Sequence, residues 1–216
     1  MTNTTLIFDL DGVIVDTAKF HFKAWQKLAE KIDVHFTEYE NEQLKGVSRV
    51  KSLEKILEWG NKTISDSLFH QLMEEKNKDY LGYVKAMTIS DILPGVKDFL
   101  TLAKAQGHPI ALGSASKNAV TILTAVHLID MFDTIVDGNN VTKGKPDPEG
   151  FLKAAKLLNS TPENCVVFED SIAGIQAANS AKMLSVGIGD KSILNEANFC
   201  YTGFDELTYT VFKTIV

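Results

Sequence analysis

The sequence predicts an α/β fold: a Rossmann-like, doubly wound parallel sheet core with an inserted helical cap. Three observations carry this. From residue 93 onward, short apolar runs alternate with helical periods, the pattern that builds a parallel sheet with helices on both faces. A matching apolar run stands alone near the N-terminus, from Leu6 to Asp9. Between the two, the period is helical throughout. The core is therefore assigned to residues 1–15 and 88–216, and the cap to residues 16–87.

Leu6 to Asp9 reads as a buried strand. Thr17 to Ile32 follows as an amphipathic helix. At about 100° per residue, Ala18, Phe22, Trp25, Leu28, Ala29 and Ile32 form one stripe, with Lys19, Lys23, Gln26, Lys27 and Glu30 opposite. LKGVSR, Leu44 to Arg49, reads as a loop between helices. Phe69 to Met87 gives a second stripe, of Phe69, Leu72, Met73, Tyr80, Tyr83 and Met87, with Lys76 in its middle. After the turn Leu93-Pro94-Gly95, a helix is expected over 94–106, stopped by Gly107. A strand over 110–112 ends in Gly-Ser-Ala-Ser, and a helix follows over 118–128. A strand over 134–136 and a helix over 148–158 come next. A strand over 165–168 ends in Glu169-Asp170, before a helix over 171–181 and a strand over 184–188. An edge strand over 198–201 and a helix over 206–215 close the pattern.

The 216 residues suffice for one large domain or a domain with a smaller insert. A formal charge of -6 argues against a nucleic-acid partner. No apolar run approaches the roughly 18 residues that span a bilayer, and no basic-then-apolar leader opens the chain. Cys165 and Cys200 give neither a disulfide framework nor zinc spacing. A cytoplasmic monomer, without nucleic-acid or membrane partners, is the expectation.

The chemistry concentrates in FDLDGVIVDT, Phe8 to Thr17. Residues two apart on a strand face the same way, so Asp9 and Asp11 share one space. Gly12 permits a sharp turn and close approach of a ligand. Ligands of open parallel sheets sit beyond the carboxyl ends of the strands, and that edge also receives Ser114 and the pair Glu169-Asp170. So many carboxylates call for a cation, and an oxygen-only set favours magnesium. Helix capping accounts for Asp170 alone, leaving Asp9 and Asp11 unexplained. Lys145, in GKPDPEGF, would offset the acids and neutralise a phosphate oxygen.

DLDG, then a serine after the second core strand, then KP, then ED resembles the haloacid dehalogenase-type phosphotransferases. The resemblance implies that Asp9 attacks phosphorus and carries it as an acyl phosphate, while Asp11 is general acid and base. It also implies magnesium held by Asp9, Asp170 and the Asp11 backbone carbonyl, with Glu169 in support. An aspartate is ionised at neutral pH without an activating base, and its acyl phosphate is reactive enough to pass the group onward.

The cap decides where the group goes. His21 lies on an apolar stripe, where a lone histidine is more often an interior residue. Its nearness in sequence to Asp11 favours the cleft instead. Lys76 either snorkels to the rim or faces the cleft with His21. The basic loop LKGVSR contains Arg49, the one arginine of the chain, a residue able to grip phosphate with two hydrogen bonds. Ser116-Lys117-Asn118 offers a second anion patch at a helix start. Two anion sites suit a molecule with a phosphate at each end. DLDGVIVDTAKFHFKAW, LKGVSR, SASKN and FEDSIAGIQA resemble the β-phosphoglucomutase branch of the superfamily. That resemblance implies interconversion of β-glucose 1-phosphate and glucose 6-phosphate, primed by β-glucose 1,6-bisphosphate, with one magnesium ion per chain. It implies that His21 and Lys76 position Asp11 and the sugar, and that Val47 and Ser48 line the sugar pocket. Thr17, Trp25, Lys45, Gly46 and Ser52 are further expected contacts to substrate. The rivals are a sugar-phosphate phosphatase of the same superfamily and a phosphate-accepting receiver module, which needs no helical insert. A dinucleotide-binding module is weaker, because Val186-Gly187-Ile188-Gly189 lacks the third glycine.

Overall fold

The run Thr5–Phe8 forms strand β1 and is buried along its whole length. In the computed structural model, which describes residues 3–215, β1 is central to a six-stranded parallel sheet. Its neighbours are β2, Ile110–Gly113, and β4, Cys165–Glu169. Beyond them lie β3, Thr134–Val136, on one side and β5, Leu184–Ile188, then β6, Phe199–Tyr201, on the other. The chain builds outward from β1 through β2 to β3, then returns to β4 and builds the opposite way. Connections therefore reverse between β1 and β4, the crevice in which ligands of doubly wound sheets bind. Phe8 pairs with Phe168, so the residues that follow, Asp9 and Glu169, emerge side by side there.

Alternation along β1 divides two cores. Leu6 and Phe8 enter a cluster with Phe99, Phe132, Phe168 and Phe204, while Ile7 faces Ala111, Phe151 and Val167. The Phe8 and Phe168 rings stack at 4.6 Å, which fixes the two strand ends that bear the acids.

The helical insert contains α1, Ala18–Lys31; α2, Glu38–Glu42; α3, Arg49–Trp59; and α4, Asp66–Val84. Trp25, Leu28, Leu53, Ile56 and Leu72 bury one another in a cluster of their own. Ala24, Tyr80, Val84 and Met87 instead join the main core, tying the insert to the sheet. Two connections cross between insert and core, and they pair: Val15 bridges Ile92, and the Asp16 N–H donates to the Asp91 carbonyl at 3.1 Å. Lys19 clamps both, 3.3 Å from Asp16 and 3.2 Å from Asp91.

The core helices are α5, Val96–Ala105; α6, Ala119–Ala125; α7, Glu149–Leu157; α8, Ile172–Ser180; and α9, Tyr209–Ile215. Three expectations are corrected. LKGVSR is not wholly loop, because Arg49 opens α3 behind Ser48, whose hydroxyl accepts the Lys51 N–H. The helix expected over 118–128 stops at Ala125, since His127 turns to a φ of 56° and Leu128 bonds back to Leu123. The expected helix over 206–215 is divided, with a single tight turn at Phe204–Glu206 preceding α9. No helix among the described residues is long and apolar enough to cross a membrane.

Candidate active site

At the ends of β1 and β4, Asp9, Glu169 and Asp170 place carboxylate oxygens within 4.8 Å of one another. Lys145 enters this group from the loop before α7, through a cis bond to Pro146, and donates to both Asp9 and Glu169. The other Glu169 oxygen accepts from the Ser171 N–H at 3.0 Å and the Ser171 hydroxyl at 2.8 Å. Ser171 also caps α8 by accepting the Gly174 N–H at 3.1 Å. Only glycine fits at 174, because a Cβ would lie 1.9 Å from the Glu169 carboxyl carbon. On β1, Asp9 accepts the Asp11 N–H at 3.1 Å. Gly12, at a φ of 82°, leaves room for Asp170, whose carboxylate a Cβ would meet at 2.1 Å.

Burial dominates the electrostatics. It raises the Asp9 carboxyl to about 7, with Lys145 opposing and Glu169 and Asp11 adding to the rise. Asp170 is pushed well above its ordinary value by burial, then by Glu169 and Asp9. Burial acts against the Lys145 ammonium, but the charges of Asp9 and Glu169 outweigh it and raise its pKa. One lysine does not balance three carboxylates. The oxygen-only donor set, the excess negative charge and the space preserved by Gly12 all fit magnesium.

Asp11 points the other way, toward the insert. Its carboxylate accepts the Thr17 hydroxyl and lies 3.8 Å from His21 Nε2. Burial raises the Asp11 pKa against the effect of the Thr17 hydrogen bond. The other ring nitrogen, Nδ1, is 3.0 Å from Lys76 Nζ. Burial, then Lys76 and Arg49, hold the imidazole pKa well below its usual range, so Nδ1 accepts from the ammonium and Nε2 carries the hydrogen facing Asp11. Lys76 is 2% exposed, with Nζ 4.6 Å from the ring centres of both Trp25 and Tyr80. Burial, then Arg49, lowers its pKa to about 7.

Between insert and sheet is a cavity of about 960 Å³, lined by Asp9, Asp11, His21, Arg49, Lys76 and Lys117 among others. Ser116, Asn118 and the 44–48 turn line it too. Arg49 is half-buried, and its guanidinium makes no hydrogen bond or ion pair with any described residue. Lys45 reaches from the turn to Glu42 at 2.8 Å and toward Asp170 at 3.7 Å. Gly46, at a φ of 69°, lies so close to Ser171 that a Cβ would meet its hydroxyl at 2.5 Å. The insert is thus closed over the acids.

A family model described as haloacid dehalogenase-like hydrolase matches residues 4–182. The chain belongs to the haloacid dehalogenase-like hydrolases. A Bacillus subtilis (strain 168) relative named beta-phosphoglucomutase is 43% identical over 205 residues, covering 94% of this chain and 91% of that protein. A Thermotoga maritima relative named phosphorylated carbohydrates phosphatase is 35% identical over 181 residues, covering 82% and 80%. The crystal structure of beta-phosphoglucomutase from Clostridium difficile matches with a TM-score of 0.95 at 43% identity, covering 99% of this chain and 96% of that one.

Within this haloacid dehalogenase fold, the expected residues divide into those facing the cavity and those supporting it. Thr17 is fully buried, does not line the cavity, and bonds Asp11. Trp25 is 2% exposed, lies under Lys76 and lines the cavity. Ser52, 2% exposed, also lines the cavity, and its hydroxyl donates to the Ser48 carbonyl. Ser114 is buried, and its hydroxyl accepts the Ser116 N–H at 3.1 Å. An anion held at 116–118 would meet side chains and loop amides rather than a helix terminus, because α6 has only seven residues. Sequence reasoning missed Ser171 and Tyr80. The Ser171 signal lay in EDSIAG, a cap position directly after the acids. Tyr80 was read as a core residue, and nothing in its local pattern reveals that it covers Lys76.

Proposed function

We propose that the chain interconverts β-glucose 1-phosphate and glucose 6-phosphate through β-glucose 1,6-bisphosphate. The observation that carries this is the unpaired Arg49 guanidinium in the cavity shared with Asp9 and Asp11. A phosphate bound by Arg49, Ser116, Lys117 and Asn118 leaves a second phosphate free to meet Asp9. The two relatives named beta-phosphoglucomutase, at 43% identity each, support the reading.

Asp9, Asp170 and the Asp11 carbonyl would hold one magnesium ion, with Glu169 beside it. The bound ion supplies positive charge that offsets repulsion between carboxylate and phosphate. Asp9 carries the phosphoryl group as an acyl phosphate. Asp11 takes the proton from the C6 hydroxyl of β-glucose 1-phosphate as its oxygen bonds to phosphorus and the acyl phosphate bond breaks. The bisphosphate turns end for end. Asp9 then attacks the C1 phosphate, the bond from phosphorus to the C1 oxygen breaks, and Asp11 returns the proton to that oxygen. Its raised pKa suits a group that must hold the proton between these steps. Thr17 and His21 orient Asp11. Lys145 and Ser114 hold the transferring phosphate. Val47 and Ser48 line the sugar pocket, with Lys45 and Gly46 closing over the acids. Closure excludes water and protects the acyl phosphate.

The test is a phosphorus NMR time course with β-glucose 1-phosphate, magnesium and a trace of bisphosphate. Growth of the glucose 6-phosphate resonance is expected. Free phosphate without glucose 6-phosphate would assign the chain to the sugar-phosphate phosphatases instead.

A further inference from the structure

Across the cleft from the acids, the insert and the core meet through one side-chain hydrogen bond that the reaction above does not use. Asn118 Nδ2 donates to Asn77 Oδ1 at 2.9 Å. Asn77 follows Lys76 on α4, so consecutive residues serve different partners: Lys76 turns inward to His21, and Asn77 turns to the core. Asn118 lines the cavity, whereas Asn77 does not.

We propose that Asn77 is a positioning residue for the distal phosphate, presetting the Asn118 amide so that it offers N–H rather than C=O to the anion. A primary amide has two donors on one end and an acceptor on the other. Turned by 180°, Asn118 would aim its carbonyl at a phosphate and repel it. The Asn77 carbonyl oxygen takes one of the two Asn118 hydrogens from outside the cavity. The second remains for the ligand. The Asn118 backbone is held separately, its N–H donating to the Ser116 hydroxyl at 3.3 Å, so Asn77 governs the side chain alone. Because Asn77 belongs to the insert, the amide is preset only when the insert is closed. By reciprocity, a distal phosphate that prefers the preset amide favours closure by the same factor.

The proposal rests on the assignment of Asn118 to a distal phosphate, and its test is a double-mutant comparison in the full chain. Asn77→Leu removes the acceptor at similar volume. Asn77→Ser, too short to reach Asn118, is the second variant should leucine disturb packing. Either is expected to raise KM for β-glucose 1-phosphate about tenfold, the scale of one hydrogen bond to a charged group, with kcat within about twofold. In an Asn118→Ala chain, neither should change KM further. Phosphorylation of the enzyme by acetyl phosphate, which has no distal phosphate, should proceed at the unmodified rate. An unchanged KM, a full-sized effect in the Asn118→Ala chain, or an equal loss with acetyl phosphate overturns the proposal. Should β-glucose 1-phosphate be hydrolysed rather than isomerised, the same KM values are read from phosphate release, so the mutase reading and the Asn77 proposal fail separately.

Discussion

Replacing Lys76 by methionine should stabilise the protein while impairing turnover, and pH should reveal why. The ammonium is 2% exposed. Its pKa is lowered from 10.5 to about 7, first by burial and then by Arg49. At about 1.4 kcal/mol per pH unit, this corresponds to roughly 5 kcal/mol against the folded state when the lysine is charged. The whole of that penalty, roughly 5 kcal/mol, acts at pH 6.5, where folded and unfolded chains both carry the proton. Between about pH 7 and 10.5 only the unfolded chain carries it, so wild-type stability rises with pH. By pH 9.5 the penalty has fallen by about 3 kcal/mol. For a chain of this length, 1 kcal/mol moves Tm by about 2–4 °C. Lys76→Met should therefore melt well above wild type at pH 6.5, with a gain roughly 6–12 °C smaller at pH 9.5. Thermal denaturation at the two pH values decides. A variant less stable at pH 6.5, or a gain equal at both values, would refute this account of Lys76.

Other expected outcomes follow from the same geometry. Asp9→Asn should abolish phosphoryl transfer, seen as loss of enzyme labelling by acetyl phosphate, with the fold retained by circular dichroism. Magnesium should raise Tm more at pH 8 than at pH 5, because burial holds protons on Asp9 to about 7 and protons compete with the ion; an equal gain at both values counts against Asp9 as a ligand. Gly174→Ala should destabilise by about 2–4 kcal/mol in chemical denaturation, because its Cβ would lie 1.9 Å from the Glu169 carboxyl carbon and force that buried acid off Lys145 and Ser171. Arg49→Lys keeps the charge but loses the two-pronged grip; KM for β-glucose 1-phosphate should rise about tenfold or more, and unchanged kinetics would remove Arg49 from the phosphate.

Legibility of the site followed the distance over which each cause acts. Asp9, Asp11, Gly12, Glu169 and Asp170 stand at strand ends, and period-two patterning with the crevice rule was enough to bring them together. His21 and Lys76 were legible as anomalies, polar residues on apolar helical stripes, but only their 3.0 Å approach shows that they face each other. The contacts of Thr17, Trp25 and Tyr80 were not legible in the sequence, because they come from packing between elements distant along the chain, which periodicity does not register. Asn77 gave no local signal at all: on its own helix it is an ordinary polar residue, and its partner lies 41 positions away. The C-terminal end of α6 and the start of α3 were misplaced for a local reason, a left-handed turn at His127 and a serine cap at Ser48.

The distribution of charge between the two parts explains why closure and ligand binding should be coupled. The sheet edge concentrates carboxylates, with Lys145 as their partner. The insert brings Lys45, Arg49 and Lys76 over them. Arg49 and Lys76 have their pKa values lowered, each chiefly by burial, and Arg49 further lowers both Lys76 and His21. These cations disfavour one another in the closed cavity, and no acid among the described residues pairs with Arg49. A phosphate dianion reverses that balance, since each cation gains a charge-assisted partner at the moment water is excluded. The empty closed form is thus held against its own charge, and the ligand-filled closed form is held by it. A ligand with one phosphate at the acids relieves little of this strain, because the uncompensated cations are on the insert. One with phosphates at both ends relieves most of it, which is the electrostatic reason a hexose bisphosphate should close the insert more firmly than inorganic phosphate.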